Sequence, residues 1–258
     1  MTNLTNDFDD FVNNLLEKDA IVKKAMALVK EKLYYEPTGH DFWHSYRVWK
    51  LSLLIAWEEA RDKNVKVDDL VDLLVLQLSS LLHDLVDWKV SSNKNENEES
   101  LKDWLLSVGV DEDRVDKIMF IIDNISFSKS VLNTSSNSIL NSSSKSHVEE
   151  SLEFQIVQDA DRLDALGAIG IARCFATGSK LKHLIFDPNL KPRQYESVSD
   201  YKASKTTSIN HFYEKLLLLK DLMNTRTARR IAELRHEFML EFLDRFFKEW
   251  DCKDFNVC

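Results

Sequence analysis

Residues 39–48 read Gly-His-Asp-Phe-Trp-His-Ser-Tyr-Arg-Val, and they place two histidines at the start of an apolar stretch with helical spacing. Two later segments carry similar polar groups: Leu-Leu-His-Asp at 81–84 and Gln-Asp-Ala-Asp-Arg-Leu-Asp at 158–164. Imidazoles and carboxylates together can hold a catalytic divalent metal and leave positions for water and substrate. We therefore predict that these three segments meet in space around a metal ion.

The composition favours an all-α fold. The chain has 258 residues but only five Gly and three Pro, so few residues interrupt helices. We expect a single compact helical domain over residues 1–258, because no linker or internal repeat is visible. Apolar spacing predicts helical segments at 8–33, 40–61, 70–86, 99–108, 111–125, 149–177 and 204–250. The first is one helix or a broken pair of helices, Thr38 caps the second, and the last is broken near Asn224.

Charge and low-complexity sequence limit the partners and the compartment. The formal net charge of -9 argues against a nucleic-acid partner, and no apolar run is long enough to span a membrane. The acidic amino terminus is unlike a signal peptide, so we expect a cytoplasmic protein, with the nucleus left open. A Ser/Asn-rich stretch at 126–146 predicts a mobile surface loop. The amphipathic terminal helices could face the core or a second subunit, which leaves a homodimer open.

The fuller strings carry a family resemblance. Thr-Gly-His-Asp-Phe-Trp-His-Ser-Tyr-Arg-Val at 38–48, Leu-Leu-His-Asp at 81–84 and Gln-Asp-Ala-Asp-Arg-Leu-Asp-Ala-Leu-Gly at 158–167 resemble the HD-domain superfamily of metal-dependent phosphohydrolases. Together with Ile-Asn-His-Phe-Tyr-Glu-Lys-Leu at 209–216, they are similar to a subgroup of small bacterial and fungal HD proteins that act as nucleotide pyrophosphohydrolases. The resemblance covers about residues 30–250, apart from the Ser/Asn-rich stretch.

This resemblance implies one divalent ion held by His44, His83, Asp84 and Asp161. Asp161 is favoured over Asp159 because the last ligand of the superfamily usually stands in an Ala-Asp-x-Leu context. Imidazole and carboxylate ligands suit Mn²⁺ first, with Ni²⁺, Co²⁺, Fe²⁺, Zn²⁺ or Mg²⁺ as alternatives. None of the three cysteines lies near the motifs, which argues against a structural zinc site.

The resemblance also implies roles around the ion. Asp87, one turn after His83, stands where related enzymes carry an acidic residue that moves protons near the attacking water. Arg47, on the same helix face as His44, is expected to meet a phosphate, with a salt bridge to a nearby carboxylate as the alternative. Further substrate contacts are expected from residues that could equally be ion-paired or solvated: Lys50, Asp164, His211 and Lys215.

We predict a phosphohydrolase that acts on a nucleoside triphosphate, deoxy forms included, and releases pyrophosphate and the monophosphate. Two alternatives stay open. One is a nucleoside 5'-monophosphate phosphatase of the same superfamily, and the other is a non-catalytic sensor that binds a nucleotide or a metal. The aromatic residues nearest the motifs, Trp43, Tyr46 and Trp88, could wall a base pocket, but core packing is the favoured interpretation.

Overall fold

The computed structural model describes residues 2–87, 94–125, 151–193 and 206–256, and over these ranges the protein is built from helices without a β-strand. The predicted all-α fold is therefore confirmed. The described helices are α1 Thr2–Lys18, α2 Ala20–Leu33, α3 Phe42–Lys63, α4 Leu73–Asp87, α5 Lys94–Ser107, α6 Glu112–Asn124, α7 Leu152–Asp164, α8 Gly167–Lys180, α9 Ser208–Glu214 and α10 Arg226–Trp250. In the described ranges, the 3₁₀ turns Val67–Asp69 and Leu216–Leu222 lie between helices, and a third, Asp254–Asn256, follows α10.

Helix α4 lies at the centre of the core. It packs against α2, α3, α6 and α7, and its leucines Leu76, Leu78, Leu81 and Leu82 have no exposed surface. Burial of this nearly continuous apolar run contributes to the stability of the fold. Trp49 of α3 is also fully buried, and its indole N–H donates to the Gln77 amide oxygen at 3.2 Å, so its polar group is satisfied inside the core.

The helix starts differ from the sequence prediction at the first motif. Asp41, rather than Thr38, caps α3: its Oδ1 accepts a hydrogen bond from the backbone N–H of His44 at 2.9 Å. The backbone N–H of Thr38 instead donates to the Glu36 carboxylate. Helix α3 therefore starts at Phe42 and not at residue 40, and His44 lies in its first turn.

Three predicted helical segments are divided, and the first of them, at 8–33, forms parts of α1 and α2 on either side of Asp19. The segment predicted at 149–177 forms α7 and α8, separated by Ala165 and Leu166. The segment predicted at 204–250 forms α9, a 3₁₀ turn and α10, and α10 begins after the predicted break near Asn224. The Ser/Asn-rich stretch at 126–146 lies outside the described residues. None of the helices in the described ranges combines the length and apolar character needed to cross a membrane.

Candidate metal centre

The three sequence motifs meet at the ends of three helices. His44 lies in the first turn of α3, His83 and Asp84 lie in the last turns of α4, and Asp161 lies near the end of α7. The apolar run of α4 fixes the position of His83 at the edge of the core. Both imidazoles are buried, whereas Asp84 and Asp161 keep some exposure.

The ligand-type atoms of these four residues lie within 4 Å of one another in most pairings. His44 Nε2 is 3.1 Å from His83 Nε2, 3.3 Å from Asp84 Oδ2 and 3.5 Å from Asp161 Oδ1. His83 Nε2 is 3.6 Å from Asp84 Oδ1 and 3.8 Å from Asp161 Oδ1. The cluster of His44, His83 and Asp161 can offer three atoms to one ion, and Asp84 borders the same point.

The outer hydrogen bonds of the two histidines identify their tautomers. His44 Nδ1 lies 2.7 Å from Asp164 Oδ2, and His83 Nδ1 lies 2.8 Å from the carbonyl oxygen of Ser80. Since carboxylate and carbonyl oxygens only accept, both Nδ1 atoms must donate, and in the neutral rings both Nε2 atoms carry a lone pair. Two such lone pairs and two carboxylates facing one another form an electron-rich set that a divalent cation fits.

The ionisable groups of the cluster shift one another's pKa values. Burial, together with the positive charge of Arg173, lowers the pKa of His44 to about 4. Burial also acts to lower the pKa of His83, but the Asp84 and Asp161 carboxylates outweigh it, and the pKa is raised. Although burial acts to raise the pKa of Asp84, the three nearby histidines hold it well below its ordinary value.

Asp164 connects the cluster to two arginines. Its carboxylate, almost without exposed surface, accepts from His44 Nδ1, from Arg47 Nε at 2.7 Å and from Arg47 Nη2 at 3.0 Å. Arg173 Nη1 lies 3.1 Å from Asp164 Oδ2. Burial acts to raise the pKa of Asp164, but these hydrogen bonds hold it far below its ordinary value. Asp164 therefore stays ionised and orients the His44 ring.

The two candidates for the last metal ligand, Asp161 and Asp159, lie in different surroundings. The Asp159 carboxylate points away from the histidines and accepts from the backbone N–H groups of Asn224 and Thr225 at 2.8 and 2.7 Å. It also accepts from the Thr225 hydroxyl at 2.8 Å. Because Thr225 is the N-cap of α10, Asp159 holds the start of that helix.

The remaining predicted residues lie in different surroundings. The side chain of Asp87 and residue Trp88 lie outside the described part of the chain. Lys50 pairs with Asp9 of α1 at 3.2 Å instead of joining Arg47 at the cluster. His211 and Lys215 are mostly buried, and the charge of Lys215 interacts with Asp161 and Arg173. Burial lowers the pKa of both groups, that of His211 to about 3.

Two of the aromatic side chains can be placed. Trp43 is 50% exposed and meets Phe42 and Tyr46 edge to face, with ring centroids 5.0 and 5.9 Å away. Tyr46 is partly buried and packs against the core. Core packing is therefore correct for Tyr46 but not for Trp43.

Arg173 is the neighbour of the cluster that the sequence interpretation missed. It lies 134 residues from Gly39, whose carbonyl oxygen accepts from its Nε at 2.7 Å. The available signal was a single arginine within the otherwise small and apolar Gly-Ala-Ile-Gly-Ile-Ala-Arg-Cys-Phe-Ala-Thr-Gly of residues 167–178. His40, the first residue of the helical segment predicted at 40–61, lies before α3 with its Nδ1 2.9 Å from Asp84 Oδ2.

Comparisons with known proteins agree with this arrangement. Residues 42–166, which contain all the motif residues of the cluster, match the sequence model of the HD domain family. The uncharacterized protein YpgQ of Bacillus subtilis (strain 168) is 32% identical over 221 residues, covering 86% of this chain and 89% of YpgQ.

Solved structures show the same fold over most of the chain. A Lactobacillus plantarum protein superposes with a TM-score of 0.71 at 35% identity, covering 90% of this chain and 97% of that one. An HD-superfamily hydrolase from Bacillus thuringiensis gives a TM-score of 0.62 at 34% identity, covering 89% and 96%. Bacillus subtilis YpgQ in complex with ADP gives a TM-score of 0.62 at 28% identity, covering 88% and 94%.

Proposed function

Because the chain belongs to the HD-domain superfamily of metal-dependent phosphohydrolases, we propose that it hydrolyses nucleoside triphosphates, deoxy forms included, to the monophosphate and pyrophosphate. The observation that carries the proposal is the convergence of the Nε2 atoms of His44 and His83, which carry lone pairs in the neutral rings, with the carboxylates of Asp84 and Asp161. We assign these four residues as ligands of one divalent ion, with Mn²⁺ as the first candidate.

The bound ion would lower the pKa of a coordinated water and polarise a phosphoryl oxygen. The chain's own residues would do the positioning. Asp164 holds the tautomer and direction of the His44 ring, as carboxylates behind metal-bound histidines commonly do. Asp87 is proposed to move a proton at the attacking water, on the strength of its position one turn after His83.

The electrostatics around the cluster support a polyanionic substrate. Three carboxylates, from Asp84, Asp161 and Asp164, share this region with three basic side chains, from Arg47, Arg173 and Lys215. A divalent ion would therefore leave the centre with a net positive charge, which favours phosphate groups. The Arg47 side chain is 31% exposed, so part of its guanidinium can meet a phosphate while it holds Asp164.

The nucleotide part of the proposal is supported by the relative whose structure was solved with ADP, Bacillus subtilis YpgQ. His211 and Lys215 are proposed to serve the far end of the polyphosphate. Lys215 supports this by its charge interaction with Asp161, whereas His211, neutral near pH 7, would act through hydrogen bonds. Lys50 is proposed as an outer contact of the substrate. Asp164, whose carboxylate is almost without exposed surface, is proposed to act through His44.

The proposal is tested by product analysis on protein stripped with EDTA and resupplied with Mn²⁺. The panel contains ribo- and deoxynucleoside tri-, di- and monophosphates, with pyrophosphate and orthophosphate measured separately. We expect pyrophosphate from triphosphates, and its loss in His44→Ala and Asp84→Ala proteins. Orthophosphate released from monophosphates would instead identify a nucleotidase, and unreduced hydrolysis in both variants would refute the metal-centre assignment.

A further inference from the structure

The geometry points to Arg173 as a positioning residue of the metal centre: it locks Asp164, and through it His44, against the segment that precedes α3. This inference rests on the proposed function, since it concerns how the proposed metal ligands are held. Arg173 lies on α8, a helix that contributes none of the four ligands. Its side chain therefore connects the metal centre to a separate part of the fold.

Two of the three guanidinium nitrogens of Arg173 have defined partners, one through an ion pair and one through a hydrogen bond. Nη1 lies 3.1 Å from Asp164 Oδ2, and Nε donates to the Gly39 carbonyl oxygen at 2.7 Å. Nη2 lies 3.4 Å from His40 Nδ1, but that nitrogen must donate to the closer Asp84 oxygen at 2.9 Å. Arg173 and His40 are therefore neighbouring donors that do not bond to each other. The bonding partners of Arg173 are the Asp164 carboxylate and the Gly39 carbonyl oxygen.

Arg173 differs in this from Arg47, the other arginine on Asp164. Arg47 lies on the same helix as His44, so its hydrogen bonds tie Asp164 of α7 to α3 and to no further element. Arg173 joins α8 and the 36–40 segment to the carboxylate that orients His44. Its side chain is only 12% exposed, which suits a group that acts through Asp164 rather than on solvent-borne substrate.

The local backbone is arranged for this close approach. Gly39 has φ +82°, a left-handed conformation in which a side chain is strained, and a Cβ there would lie 2.9 Å from Arg173 Cγ. One turn further along the same face of α8, the Thr177 hydroxyl donates to the carbonyl oxygen of Thr38 at 2.7 Å. Helix α8 therefore binds two successive carbonyls of the segment, but only Arg173 also reaches Asp164.

Thr177 supplies a matched control for the test. The probe is Mn²⁺ alone, and its dissociation constant is measured by calorimetry on metal-stripped wild type, Arg173→Ala, Arg173→Lys and Thr177→Val proteins. We expect Arg173→Ala to weaken Mn²⁺ binding by about tenfold or more, as loss of groups that orient metal ligands does. Arg173→Lys, which retains the charge but cannot reach both bonding partners, should fall between Arg173→Ala and wild type, and Thr177→Val should stay within about twofold of wild type.

Each other outcome has a distinct meaning. Wild-type Mn²⁺ affinity in Arg173→Ala together with a raised KM for triphosphate would overturn the inference and make Arg173 a substrate contact. An equal loss of affinity in Thr177→Val would overturn it by showing that only general packing of the segment matters. If Arg173→Ala does not fold, wild-type affinity in Arg173→Lys decides against the inference. Absence of Mn²⁺ binding in the wild type would refute the proposed function instead.

Discussion

Asp159 and Asp161 lie two residues apart on α7, yet their carboxylates face opposite neighbours. Asp161 faces the imidazoles of His44 and His83, while Asp159 accepts hydrogen bonds from the start of α10. Residues two apart on a helix point about 200° apart, so only one of the pair can face the cluster. The family context favoured Asp161, but the use of Asp159 depends on residues 65 and 66 positions away and could not be predicted from the local sequence.

We predict that substitution of Asp161 affects metal-dependent hydrolysis, whereas substitution of Asp159 affects stability. Asp161→Ala should abolish Mn²⁺-dependent hydrolysis while the melting temperature of the metal-free protein changes little. Asp159→Ala should leave buried N–H groups of Asn224 and Thr225 without an acceptor and lower the stability by roughly 1–3 kcal/mol. Thermal melts and Mn²⁺ calorimetry on both variants provide the measurement. Loss of Mn²⁺ binding in a folded Asp159→Ala protein, with binding retained in Asp161→Ala, would contradict the prediction.

We predict that metal binding depends on pH, because the ion competes with a proton for the His83 ring. The pKa of His83 is raised above 6.5 in the metal-free protein, chiefly because Asp84 and Asp161 outweigh its burial. An ion binds the deprotonated ring, so the apparent affinity for Mn²⁺ should rise as the pH increases through and above 6.5, with a proton released on binding. Calorimetry in buffers of different ionisation enthalpy measures the released proton. An affinity that is constant between pH 6 and 8, with no proton release, would contradict this prediction.

At the scale of elements, the apolar spacing was sufficient to predict most helices but not their exact limits. The long run at 149–177 breaks between Asp164 and Gly167 without a proline to announce it. The turn requires a close approach of two backbone segments. A Cβ at Gly170 would lie 2.2 Å from the carbonyl oxygen of Ala165, so only glycine fits at position 170. This turn directs α8 back across the cluster and brings Arg173 to Asp164, a contact that spacing along one helix cannot reveal.

Helix α9 carries a buried imidazole that should make the fold sensitive to acid. The pKa of His211 is lowered to about 3, first by burial and then by the charge of Lys215, against an ordinary value of 6.5. Because the unfolded chain binds this proton more readily, the contribution of His211 is complete above pH 6.5 and is lost progressively as the pH falls toward 3.

Replacing this imidazole should therefore reduce the dependence of stability on pH. Between pH 7 and 5 we expect metal-free His211→Gln to lose on the order of 1–2 kcal/mol less stability than wild type. Urea unfolding at the two pH values provides the measurement, and the contribution of His44 is common to both proteins. Equal losses in the two proteins would show that His211 does not titrate in this way.

At the scale of the whole molecule, the formal charge of -9 gives no hint of a phosphate substrate. The balance of charge at the metal centre differs from that of the whole chain. Three basic side chains, those of Arg47, Arg173 and Lys215, come from different elements and lie near Asp161 and Asp164. Charge totals are read from composition, but charge placement follows from the fold. A homodimer stays a prediction, as does a mobile surface loop at 126–146, which lies outside the described residues.

One divalent ion, held by the two histidines and two aspartates, is proposed to make this protein a triphosphate pyrophosphohydrolase. The most direct test titrates metal-stripped protein with Mn²⁺ and follows pyrophosphate release from a deoxynucleoside triphosphate, with bound metal per chain measured in parallel. The account predicts no release without metal, a rise that saturates near one bound ion per chain, and no release in Asp161→Ala at any Mn²⁺ concentration. Release by the metal-free protein, or unchanged release by Asp161→Ala, would contradict it.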